Sequence, residues 1–147
     1  MGYAPKARLE DRLGASEPPY RSRGEAQVGR LLDRYGIPFF YEMPTFIYDR
    51  GKYRTWHPDF TLPTYGNLIV EYAGMPDRPS YMVGVRHKDQ AYSANGAPSL
   101  FLYPQDLQGR SWPQQLTQKI NRSRKSLPGY HHGYGGRPSL RRSYRSA

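Results

Sequence analysis

Apolar residues change their spacing several times between residues 20 and 126, and each change marks an element. From Ser22 to Tyr35, Val28, Leu31 and Leu32 recur at helical spacing behind a Ser22-x-x-Glu25 capping box. Gly36 ends that pattern, which predicts a helix. Ile37 to Ile47 is an aromatic and β-branched run broken by Pro44, so part of it is an edge or irregular strand. Asp49-Arg50-Gly51-Lys52 has turn chemistry and leads into a strand predicted over Tyr53 to Leu62. Pro63 to Asn67 makes a second turn. Leu68 to Ala73 is a third, largely apolar strand, which suits a central position.

After a loop over Gly74 to Pro79, Ser80 to Tyr92 predicts a second helix, closed by Asn95-Gly96. Ser99 to Tyr103 is a short buried strand. Trp112, Leu116 and Ile120 share one face of a last helix running to about Ser126. The resulting α-β-β-β-α-β-α order predicts an α/β (α+β) domain, a mixed sheet with helices on both faces. It occupies residues 20–126. Residues 1–19, which end in Glu17-Pro18-Pro19, are expected to be a flexible arm. Residues 127–147 are rich in Gly, Ser, Tyr, His and Arg without apolar periodicity, a composition expected to stay disordered.

Composition alters this picture in two ways. The 147 residues suit one domain, and none is cysteine, which excludes disulfides, thiolate metal sites and a thiol nucleophile. No apolar run reaches the roughly 18 residues of a membrane span, and Met1 to Tyr20 lacks the apolar core of a secretory signal. A soluble, intracellular protein with no membrane partner is therefore expected. The net charge of +10 is unevenly distributed: up to Asp106 there are 13 Lys/Arg against 12 acidic residues, and beyond it 9 Lys/Arg and none acidic. A basic segment of one sign fits either a polyanion, most often nucleic acid, or a solubilising tail. Arg122, Arg124 and Lys125 at the end of the last helix, and Arg141 and Arg142 in the tail, are the candidate nucleic-acid contacts. Tail tyrosines beside them suit stacking on unpaired bases.

Two acidic residues stand out by position. Asp59, in His57-Pro58-Asp59-Phe60, lies before the Pro63–Asn67 turn, and Glu71 ends the Leu68-Ile69-Val70 run after it. Antiparallel strands joined by that turn bring the two carboxylates to one end of the sheet. Two carboxylates in a small site repel unless a cation lies between them, and hard oxygen ligands with room for water suit Mg²⁺. The plainer alternative is a turn-forming Asp and a solvated Glu. No Gly-rich phosphate loop with Lys-Ser/Thr and no Gly-x-Ser-x-Gly elbow is present, which argues against an NTPase and a serine hydrolase. His57 is either a base or phosphate contact or a packed strand residue.

Pro58-Asp59, the strand-turn-strand that follows and Glu71-Tyr72-Ala73 resemble the PD-(D/E)XK nuclease superfamily, whose restriction-endonuclease-like core runs α-β-β-β-α-β. The resemblance covers roughly residues 20–110 and is similar in flavour to small phage and bacterial endonuclease domains. It implies a Mg²⁺-dependent (or Mn²⁺-dependent) endodeoxyribonuclease acting on DNA in the cytoplasm of a bacterial or phage-infected cell. It also implies Asp59, Glu71 and the Tyr72 backbone carbonyl as metal ligands, and Glu25 of the first helix as an acid near the metal. The capping box offers Glu25 a purely structural role, although it shares a helix face with Val28 and Leu32. The family places a Lys two residues after the Glu, where this chain has Ala73. Tyr81, Val85, Lys88 and Tyr92 share one face of the second helix, so Lys88 is the expected substitute. Without a working lysine, the expectation becomes a nucleic-acid-binding module of the same fold. The oligomeric state is left open, a homodimer among the options.

Overall fold

The computed structural model describes residues 17–125, with the side chain of Lys125 outside that description. The tail and most of the N-terminal arm, including Arg141 and Arg142, lie outside the described residues. The chain is mixed α/β. Its helices are α1 (Arg23–Arg34), α2 (Pro79–Ala94) and α3 (Trp112–Lys125), and its strands are β1 (Phe40–Tyr41), β2 (Thr45–Asp49), β3 (Lys52–Trp56), β4 (Phe60–Leu62), β5 (Leu68–Tyr72) and β6 (Ser99–Leu102). A four-stranded sheet runs in the order β1-β4-β5-β6, and β2 and β3 form a separate two-stranded sheet. Among the described residues no helix is long and apolar enough to cross a membrane.

Two prolines account for the main departure from the expected strands. The run from Tyr53 to Leu62 is two strands in different sheets, β3 paired with β2 and β4 paired with β1 and β5. The break falls at His57-Pro58, where Pro58 has no N–H for a ladder and biases the residue before it. Pro44 separates β1 from β2 in the same way. The hairpin thus leaves the main sheet through one neck and returns through it. Glu42, with φ +52°, turns the chain there; its N–H donates to the Asp59 carbonyl at 3.1 Å and its carbonyl meets His57 Nδ1 at 3.2 Å. At the tip, Arg50 and Gly51 both have positive φ, the two-residue turn whose twist suits a hairpin.

β1, β4 and β5 are antiparallel neighbours, while β6 joins β5 in parallel after the α2 crossover. One face of the sheet packs Phe60, Leu62, Leu68, Val70 and Leu102 against Val28, Leu31 and Leu32 of α1 and Leu116 and Ile120 of α3. The other face carries Ile69 and Phe101 against Ala91 and Tyr92 of α2, with Ile47 and Trp56 of the hairpin. Side-chain alternation along β5 therefore sends Ile69 and Glu71 to the α2 side and Leu68 and Val70 to the α1 side. Helices do cover both faces, and α1 starts on the Ser22 cap, whose Oγ accepts from the Glu25 N–H at 3.1 Å.

Candidate active site

The β4–β5 ladder ends with Phe60 opposite Val70. Asp59 lies in the bend just before β4 and Glu71 is the residue after Val70, so the two come to the same end of the sheet. Glu71 projects on the α2 side, and Asp59 is near enough to feel its charge. Glu71 is buried, at 4% exposure. Its Oε1 accepts a 2.6 Å hydrogen bond from the Tyr92 hydroxyl and lies 3.5 Å from Lys88 Nζ. Asp59 Oδ2 accepts from the Tyr72 N–H at 2.7 Å.

Electrostatically, the two acids behave as one site. The Asp59 carboxyl is pushed up from 3.8 to about 8, first by burial and then by the charge of Glu71. The Tyr72 N–H and Lys88 pull it the other way, and Glu25 adds to the rise. The Tyr92 hydroxyl is held well above the usual phenol range by burial and by the adjacent Glu71 charge, so it remains a donor to that carboxylate.

Glu25, on the first turn of α1, is buried and does serve in the cap, with Ser22 Oγ donating to its Oε2 at 2.9 Å. Its Oε1 accepts from Tyr41 at 2.7 Å, and burial together with that hydrogen bond raises the Tyr41 hydroxyl. The carboxylate thus faces the sheet end. The close approach of α1 depends on Gly24, since a Cβ there would run into the Tyr72 ring.

Lys88 reaches the site from α2 but is not buried: its side chain is 46% exposed, with the ammonium paired with Glu71. Its separation from Glu71 is that of an ion pair rather than a short hydrogen bond. Arg86 is exposed. Arg124 lies at the opposite end of β4 and β5, its guanidinium 5.1 Å over the Tyr65 ring, so neither it nor the adjacent exposed Arg122 is gathered at the carboxylates.

A cavity of about 260 Å³ opens beside Glu71, lined by Thr55, Trp56, His57, Lys88 and Tyr92. Trp56 meets Tyr92 edge to face at 5.5 Å. Trp56 and Thr55 were not among the expected site residues; the signal was their place directly before His57-Pro58-Asp59.

The donor set fits a hard divalent cation held by few protein ligands. Asp59 Oδ1 and Glu71 Oε2 carry no hydrogen bond from the described residues. Thr61 Oγ1 on β4 is buried without a hydrogen-bond partner. Burial first and the Glu71 charge second raise Asp59, and both act against a bare carboxylate pair. Among the described residues no group of three His, Asp or Glu side chains gathers around one point. The set is therefore a carboxylate pair, which suits an ion that keeps several waters. Comparison of the chain with protein-family models, curated proteins and solved structures returned no match.

Proposed function

We propose that the chain is a Mg²⁺-dependent endodeoxyribonuclease with the restriction-endonuclease-like core of the PD-(D/E)XK superfamily. The reading rests on one observation: Asp59 and Glu71 meet electrostatically at one end of the sheet, Asp59 bonded to the Tyr72 N–H, with Lys88 of the next helix 3.5 Å from Glu71. The element order supports it, because with the β2–β3 hairpin set aside the main sheet is built as α-β-β-β-α-β.

Mg²⁺ or Mn²⁺ bound there would polarise a phosphodiester and acidify a bound water. Asp59 and Glu71 would hold the ion through their unengaged oxygens, with the Tyr72 carbonyl as a further donor. Tyr92 and the Tyr72 N–H fix the orientation of the two carboxylates. The compact Lys88 ammonium orients the attacking water and offsets charge developing on the phosphate. It stands in for a lysine at Ala73, a buried position on the same strand end. Glu25 adds negative charge from α1 and so strengthens the demand for a cation.

The second reading, a DNA-binding module without cleavage, is favoured by Ala73 and by the 46% exposure of Lys88. Incubation with supercoiled plasmid separates the two. A nuclease nicks or linearises it with Mg²⁺ or Mn²⁺, and EDTA or Asp59→Ala abolishes this. Absence of cleavage with any divalent ion leaves the binding module.

A further inference from the structure

We propose that the outward face of the β2–β3 hairpin is a stacking surface for the unpaired bases of a DNA strand, leading into the cavity at Glu71 and Lys88. This deepens the reading of the chain as a protein that acts on DNA and depends on that reading, but not on cleavage. Alternation along the hairpin turns Ile47 and Asp49 inward and sends Phe46, Tyr48 and Tyr53 outward. These three side chains are 78%, 51% and 77% exposed. Tyr48 lies opposite Tyr53 with ring centroids 5.1 Å apart, and Phe46 lies opposite Thr55. The solvent face of an antiparallel hairpin is ordinarily polar. Here it is a contiguous aromatic strip.

The charge around the strip selects its occupant. Arg50 and Lys52 are exposed at the tip, while Arg54, opposite Ile47 and paired with Asp49, belongs to the inward face. The hairpin's one acid, Asp49, is buried and engaged by His87 at 3.0 Å and Arg54 at 3.6 Å, so no carboxylate competes on the outer face. Exposed rings running from a cationic tip, with no carboxylate on their face, match a polyanion with free π-faces, which is unpaired DNA rather than an apolar protein surface. The platform is also rigid. The Asn95 amide bonds both the N–H and the carbonyl of Tyr48 at 2.9 Å, and Ile47 is buried against α2. Finally, the strip ends where the candidate site begins: Thr55, opposite Phe46, and the next residues Trp56 and His57 line the cavity with Glu71 and Lys88.

The test is fluorescence anisotropy of the full chain in EDTA, using a labelled oligothymidylate and a blunt duplex of equal length. Phe46→Ala and Tyr53→Ala should each weaken binding of the single strand by about 10-fold, the usual cost of losing one base–aromatic stack. Duplex binding should barely change, and Tyr53→Phe, which keeps the ring, should bind as wild type. Single-strand binding lost through these variants in a protein that cuts nothing would uphold the surface and reject the nuclease. A nuclease whose Phe46→Ala and Tyr53→Ala variants bind single strands as wild type would reject the surface alone. Equal losses on the duplex, no binding of either probe by wild type, or a wild-type dimer that these substitutions dissociate would each overturn the proposal.

Discussion

Replacing Asp59 with Asn should change how stability depends on pH more than any other single substitution at the sheet end. The Asn carbonyl still accepts from the Tyr72 N–H, and its neutral amide can face Glu71 as a protonated carboxyl does. In the folded chain the Asp59 carboxyl is raised from 3.8 to about 8. Below about pH 4 it is protonated in both folded and unfolded chains, and its full contribution to stability is present. Between about pH 4 and pH 8 the folded chain keeps a proton that the unfolded chain has released, so stability falls as pH rises. Above pH 8 both forms are ionised and the loss is complete. Every pH unit in that window is worth about 1.4 kcal/mol, so the ceiling is on the order of 5 kcal/mol. Relaxation and water at the sheet end reduce the expected loss to roughly 2–3 kcal/mol. Urea denaturation of both proteins in EDTA at pH 5, 7 and 9 measures it. Asp59→Asn should gain on wild type by that amount across the series, and saturating Mg²⁺ should flatten the wild-type decline. Parallel profiles in EDTA would show that the carboxylates do not burden each other, and would refute the reasoning.

Other substitutions test the surrounding architecture. Lys88→Ala should slow single-turnover cleavage by on the order of 100-fold while leaving DNA affinity nearly unchanged, whereas Arg86→Ala should cleave as wild type; equal rates for the two would remove Lys88 from the chemistry. Gly24→Ala would gain about 1 kcal/mol from helix propensity at an open position. Against the Tyr72 ring it should instead lose on the order of 1–3 kcal/mol in chemical denaturation, and a gain would contradict the close approach of α1. Deleting residues 127–147, with four arginines and no acidic residue, should lower the salt dependence of DNA affinity by roughly 0.9 for every phosphate the tail neutralises. An unchanged slope would make the tail a solubiliser.

Local signals in the sequence carried much of this fold. The Ser22 cap and the Arg50-Gly51 turn are made by neighbours a few residues apart and occur as expected. The Glu25 carboxylate, however, takes the Ser22 hydroxyl and Tyr41 in place of the backbone N–H that would complete a capping box. The β5 run was legible because a strand covered on both faces has little room for polar residues. Pro58 was harder to read. As a single position in an aromatic run it looks like an irregularity, yet it diverts β3 into a separate hairpin and lets β1 pair with β4. That pairing depends on contacts between distant segments. Asp59, expected within a strand, lies in the bend before β4, and it comes near Glu71 because β4 and β5 are joined by one short turn. Tyr92 and Lys88 shared a helix face in the sequence, but their meeting with Glu71 depends on how α2 packs. The burden on Asp59 was visible only as a paired charge, since its size depends on burial that no spacing reveals.

A divalent cation between Asp59 and Glu71 is the centre of the proposed chemistry, and an anomalous difference map from a crystal soaked in Mn²⁺ tests it directly. One peak is expected at the sheet end, about 2.0–2.3 Å from a carboxylate oxygen of each residue, and none there in Asp59→Ala. A map at saturating Mn²⁺ with no peak between the two carboxylates, or with peaks only elsewhere, would contradict it.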